Sequence, residues 1–149
     1  MITANLLRWQ DCERLQAILI HDGARPLIAP ELIDQTVAAL HEVDAAAVGI
    51  AVKDTLKTLN TNQVITGTVD RTGLAQIQTP QGFRTTALRA AHENALLHGL
   101  IVTDDCALVE NTGLQIRVVP GSALNIKITT PEDLVLGEAI LQYIKENES

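Results

Sequence analysis

Two short, almost wholly apolar runs, Ala17–Ile20 (AILI) and Ala45–Val52 (AAAVGIAV), limit what this chain can fold into more than any other feature. A strand with one wet face alternates apolar and polar residues, whereas a strand covered on both faces does not. Between the runs, Pro30 opens a helical pattern with Leu32, Ile33, Val37 and Leu40 on one side and Glu31, Asp34 and Gln35 elsewhere. A buried strand, a crossover helix and a second buried strand form the unit of an α/β fold. The expected class is therefore α/β, with part of a doubly wound, mainly parallel sheet. Composition agrees, because 46% of the 149 residues are hydrophobic but only 2% aromatic, so the core has to be aliphatic. That length supports one domain, residues 1–149, with a real interior.

The remaining segments read as elements around this unit. Ala4 to Gln16 has Leu6, Leu7 and Leu15 in a helix-forming background. From Lys53 to Gln78 the texture changes to Thr, Val and Ile, with turn signals at Asn60-Thr61-Asn62 and Asp70-Arg71-Thr72-Gly73. This predicts a β-ribbon, about residues 52–78, that leaves the core. Thr85 to His98 is helical with a stop at Gly99, and a shorter helix follows Thr103 and stops at Gly113. Gln115 to Val119 alternates as a strand. Thr130-Pro131-Glu132-Asp133 then supplies a capping hydroxyl, a first-turn proline and two acids for a terminal helix.

Eleven basic against eighteen acidic residues give a formal charge of -7, which opposes adhesion to nucleic acid or anionic lipid, so any phosphate site must be a local cluster of cations. Met1 to Gln16 has no apolar h-region, no stretch approaches the length of a membrane span, and the chain reads as cytoplasmic. Cys12 and Cys106 stand far apart, outside any metal-binding array, and read as reduced structural thiols.

His21-Asp22-Gly23-Ala24-Arg25-Pro26 places an acid and a base at the end of a buried strand, where open α/β sheets bind ligands. Taken alone, the same hexapeptide is equally a turn whose aspartate caps an amide. Lys53-Asp54-Thr55, Arg71, Thr79-Pro80-Gln81, Thr103-Asp104-Asp105 and Asn125-Ile126-Lys127 are further candidates, each by itself read more simply as a solvated charge or a cap.

Together these blocks form a recognisable series: ILIHDGARPLI (Ile18 to Ile28), AVKDTLK (Ala51 to Lys57), VDRTGL with QTPQGF (Val69 to Phe83), TDDCALVE (Thr103 to Glu110) and GSALNIKITTPEDL (Gly121 to Leu134). The series resembles the 2-C-methyl-D-erythritol 4-phosphate cytidylyltransferases, from the fourth strand of that family to its end. The related ribitol-5-phosphate cytidylyltransferases have similar blocks, but HDGARP and VKDT favour the isoprenoid family. The resemblance implies a nucleotide-diphospho-sugar-transferase-like sheet with a protruding ribbon arm. It also implies transfer of a cytidylyl group from CTP to methylerythritol phosphate, with release of pyrophosphate. By the same resemblance, Asp22 helps to hold the Mg²⁺ that CTP carries, and Lys127 bridges CTP and the acceptor phosphate. Arg71 reaches from the ribbon into the neighbouring subunit of a homodimer, and Arg25, Thr55, Thr79 and Thr103 line the acceptor pocket.

Departures from the family pattern set further expectations. The family opens with a strand and a glycine-rich loop bearing an arginine and a lysine, whereas here the first glycine is Gly23 and the first lysine Lys53. Ala75 stands where the family commonly has tryptophan. A chain truncated in this way is expected to bind CTP weakly and to expose the Ala17–Ile20 strand as an edge. It could then act as one half of a split enzyme, or as an inactive remnant that keeps the dimerisation ribbon.

Overall fold

A computed structural model describes residues 15–102 and 104–147. Strands β1 (Ala17–Ile20), β5 (Ala75–Arg84), β2 (Ala45–Ala51) and β6 (Ile116–Pro120) form one sheet in that spatial order. Helices α1 (Pro30–Ala39), α2 (Thr85–His98), α3 (Asp105–Glu110) and α4 (Pro131–Asn147) join or follow them, and β3 (Leu56–Leu59) pairs with β4 (Ile65–Val69) in a separate ribbon. The helix expected over residues 4–16 lies outside the described residues, apart from Leu15 and Gln16.

The α/β class and the projecting ribbon are as the sequence implies, but strand direction is not. The sheet is mixed: β5 runs antiparallel to both β1 and β2, and only β2 with β6 is parallel. The cause lies in the return of the ribbon. Residues 75–78, expected to belong to the ribbon, begin a ten-residue strand that re-enters the sheet between the two apolar runs. A chain that leaves the end of β2 and comes back through a hairpin has to return antiparallel.

Burial on β2 explains its composition. Ala45 and Ala47 face the cluster of Phe83, Leu88, Ala91, Cys106 and Val109 under α2 and α3. Ala46 and Val48 face Leu32, Ala39, Leu40 and Val119 under α1. With successive side chains on opposite faces and a helix over each, the buried positions Ala45 to Val48 leave no room for a polar residue, and only the end of the strand, at Ala51, is exposed. Small side chains also let the helices lie close. At Gly82 on β5 an added Cβ would stand 2.8 Å from Thr36 Cγ2, so the contact with α1 depends on the missing methyl.

The helix ends follow their sequence signals. Gly99 closes α2 with φ 62°, in the left-handed region that glycine enters without strain. The last turn of α1 is capped by a side chain from β5, with Arg84 donating from Nε to Leu40 O at 2.9 Å and from Nη2 to His41 O at 3.2 Å. On α4 the cap is reciprocal. Thr130 Oγ1 accepts from Asp133 N at 3.4 Å, and Asp133 Oδ2 accepts from Thr130 N at 2.8 Å. On α1, Leu32, Thr36 and Ala39 are buried, whereas Ile33 and Val37, on the apolar side of the sequence pattern, are 40% and 39% exposed.

Candidate active site

Both β1 and β2 run antiparallel to β5, and β6 runs parallel to β2, so the carboxyl ends of β1, β2 and β6 share one end of the sheet. The start of β5 lies at the same end. Four segments that carry family blocks therefore converge there: the loop after β1 with Asp22 and Arg25, residues 53–55 after β2, Thr79 on β5, and the β6–α4 loop with Lys127. This is the edge at which open α/β sheets bind ligands.

Three charged groups meet at the centre. Lys127 Nζ lies 3.1 Å from Asp22 Oδ2, and Arg25 Nε lies 3.5 Å from the same oxygen. Arg25 is held from behind, its Nη1 donating to Asn125 O at 2.7 Å, and its side chain is only 12% exposed. Its Nε is buried with no hydrogen-bond partner, so the contact with Asp22 is ionic rather than hydrogen-bonded. The Lys127 side chain is 47% exposed, so its ammonium can exchange Asp22 for an incoming anion at little cost. Two cations around one carboxylate leave a local positive excess in a chain of net charge -7.

The loops are fastened by Asn125, which is buried at 1% exposure. Its Nδ2 donates to Thr79 O at 2.9 Å, its backbone O receives Arg25, and Ile128 N donates to Ala24 O at 2.8 Å close by. Gln78 adds a bond from Nε2 to Ser122 O at 2.9 Å. Together they register β5 and the β1–α1 loop against the loop that carries Lys127. A second network surrounds Thr79 Oγ1, which lies 3.0 Å from Asp22 N and 2.9 Å from His21 Nδ1, while His21 Nε2 lies 3.0 Å from Arg25 O.

The structure thus brings Asp22, Arg25, Thr79 and Lys127 into one cluster. Thr55 is exposed at the exit of β2, at the same end of the sheet, and Arg71 is exposed in the turn between β4 and β5; no hydrogen bond or ion pair ties either to the cluster. Thr103 lies outside the described residues, but its neighbour Asp104 caps α3 through Ala107 N at 2.9 Å and receives Gln81 Nε2 at 3.1 Å. Sequence reasoning gave no organising role to His21, Gln78 or Asn125. The available signal was position: His21 opens the HDGARP block and Asn125 precedes Lys127 by two residues.

Asp22 is a ligand suited to a hard cation, and among the described residues no three His, Cys, Asp or Glu side chains converge on a common point. That donor set fits an ion such as Mg²⁺, which keeps most of its water, takes one or two carboxylates and is otherwise held by substrate phosphates.

The family model described as 2-C-methyl-D-erythritol 4-phosphate cytidylyltransferase matches residues 6–143. A protein of that name from Syntrophotalea carbinolica is 51% identical over 134 residues, and one from Thermosynechococcus vestitus is 47% identical over 133. In both cases 89% of this chain is covered, and it spans 57% of the length of those curated relatives. The crystal structure of 2-C-methyl-D-erythritol 4-phosphate cytidylyltransferase from Thermus thermophilus superimposes with a TM-score of 0.81 at 37% identity, covering 91% of this chain and 66% of that one. The 4-diphosphocytidyl-2C-methyl-D-erythritol synthase from Anaerococcus prevotii does so at 0.79 and 34%, covering 95% and 68%. On the match over residues 6–143, this chain belongs to the 2-C-methyl-D-erythritol 4-phosphate cytidylyltransferase family.

Proposed function

We propose that this chain takes part in the transfer of a cytidylyl group from CTP to 2-C-methyl-D-erythritol 4-phosphate, as the names of its relatives describe, in a cytoplasmic route to isoprenoid precursors. The observation that carries the reading is the contact of Lys127 with Asp22 at 3.1 Å, beside an Arg25 fixed by Asn125. Cations held among phosphate-binding loops are what an in-line transfer between two anions requires. An oxygen of the acceptor phosphate attacks the α-phosphorus of CTP, a P–O bond forms as the bond to the β-phosphate breaks, and pyrophosphate leaves with that electron pair.

In this chemistry the protein contributes position and charge more than covalent bonds. Lys127, freed from Asp22, draws the two phosphates together and offsets their repulsion. Arg25 and Thr79 hold the acceptor at the end of the sheet, and Thr55 and Thr103 complete its pocket. Arg71, exposed in the turn that follows the ribbon, serves the site of a second copy and so calls for a homodimer. Asp22 is the protein ligand for Mg²⁺, and the ion, when bound, supplies charge neutralisation on the triphosphate. Negative overall charge with a small cationic cluster also suits free nucleotide and sugar phosphate better than nucleic acid.

Release of pyrophosphate is to be followed with CTP, Mg²⁺ and methylerythritol phosphate, with the chain alone and with the glycine-rich segment of a relative supplied in trans. Lys127→Ala and Arg71→Ala are each expected to lower turnover by about 10² or more, as loss of one transition-state charge partner does. Near-normal turnover in both variants would overturn the assignment of roles, and absence of turnover in both formats would overturn the activity.

A further inference from the structure

With the His21 ring neutral, the hydrogen bonds around it fix the direction of each proton in the network, and with it what Thr79 can offer a ligand. Arg25 O is a carbonyl and can only accept, so the neutral His21 ring must carry its hydrogen on Nε2, which donates across 3.0 Å. Nδ1 is then a bare acceptor. The group 2.9 Å from it is Thr79 Oγ1, so the threonine hydroxyl must donate its one hydrogen to His21. The same oxygen accepts from Asp22 N at 3.0 Å, which occupies one of its two lone pairs. Thr79 keeps one lone pair and no hydrogen.

We infer that His21 is a positioning residue that sets the polarity of Thr79, so that Thr79 meets the acceptor substrate as a hydrogen-bond acceptor only. Such a group selects a donor, the hydroxyl of a polyol, and offers nothing to a phosphate oxygen, which also only accepts. The division of labour then follows from chemistry. Lys127 and Arg25 serve the phosphate end of the acceptor, and Thr79, turned by His21, serves its hydroxyl-bearing chain. The inference rests on the cytidylyltransferase reading for the identity of that ligand, but the proton arrangement does not.

Long-range ¹H–¹⁵N correlation spectra of the intact chain, at a pH where the ring is neutral, test the arrangement directly. His21 is expected to show a protonated Nε2 and a bare, hydrogen-bonded Nδ1. In Thr79→Val the Nδ1 signal should move toward that of an unbonded ring nitrogen, and in Thr79→Ser it should stay. A protonated Nδ1 in the native chain, or an Nδ1 signal indifferent to Thr79→Val, would overturn the inference whatever reaction the protein catalyses. Erythritol 4-phosphate and inorganic phosphate then separate the ligand claim. Thr79→Val should weaken the sugar phosphate by about two- to tenfold, the worth of one hydrogen bond, and leave inorganic phosphate unchanged. An equal loss for both ligands would show that Thr79 donates to phosphate and would refute the inference.

Discussion

At the residue scale the two clearest ionisation effects are structural, and both lie outside the Asp22 cluster. Asp133 is held below the ordinary carboxylate range, first by the hydrogen bond from the Thr129 amide and then by those from the Thr130 amide and the Thr129 hydroxyl. A carboxylate depressed in the folded state contributes stability above its unfolded value and loses it as the pH falls through the lower, folded one. Asp133→Asn should therefore melt at lower temperature than the native chain near neutrality, and the gap should close as the pH is lowered below the usual carboxylate range. Parallel thermal scans by circular dichroism across that range check both the sign and the window. Cys106 is shifted in the other direction. Burial, and then the charges of Asp104, Glu110 and Asp105, push its thiol up to about 12. With almost no thiolate at pH 8 it should resist alkylation in the native chain and react once the chain is unfolded, which mass spectrometry with and without denaturant resolves.

At the scale of elements, β5 is the piece on which the site depends. It fills the gap between β1 and β2, carries Phe83 into the core at 0% exposure, presents Thr79 to the Asp22 loop, and caps α1 through Arg84. Its Gly82 lies against Thr36, which is fully buried in α1 and bonded from Oγ1 to Leu32 O at 2.6 Å. A methyl group there has to displace the helix or twist a buried rotamer. Gly82→Ala is expected to cost about 1–3 kcal/mol of stability, as overpacking of a filled interior does, and chemical denaturation of the two proteins measures it. An unchanged denaturation midpoint would mean that α1 is not seated on β5 as described. β5 was also the element that the sequence hid. QTPQGFR has neither strict alternation nor a continuous apolar run, and a proline inside it argues against an interior strand. Nearly all of it is buried because sheet neighbours and helices cover both faces, which a local pattern cannot report.

At the scale of the whole molecule, two features are unbalanced in a single copy. The ribbon stands off as a two-stranded sheet of its own, with Leu59, Val64 and Ile65 at 50%, 56% and 60% exposure around its tip. An isolated two-stranded ribbon is marginal in water, and an apolar tip is a reason for it to clasp another surface. The second feature is β1, which pairs with β5 alone among the described strands. An apolar edge with open backbone groups invites association. Sedimentation at micromolar concentrations is expected to show a dimer, and Ile65→Lys, which places a charge at the ribbon tip, should shift it toward monomer. A native chain that stays monomeric at high micromolar concentration would remove the basis for placing Arg71 in a neighbouring site.

Local chemistry settled those parts of this protein that short segments can encode. AAAVGIAV had to be a strand covered along most of its length and AILI an apolar strand, Pro30 and Pro131 had to open helices, Gly99 had to close one, and the blocks around Asp22, Thr79 and Lys127 carry the family signature in the sequence itself. Each depends on a few neighbouring side chains and on backbone rules that act over one or two turns. Tertiary structure alone decided the rest. The antiparallel insertion of β5, the exposure of Ile33 and Val37 on a helix whose polar Thr36 is buried, and the clasp of Asn125 on Arg25, whose sequence separation is 100, are all set by contacts between distant segments. No local pattern contains those contacts, because the partner that makes a residue buried or bonded is chosen only when the sheet closes.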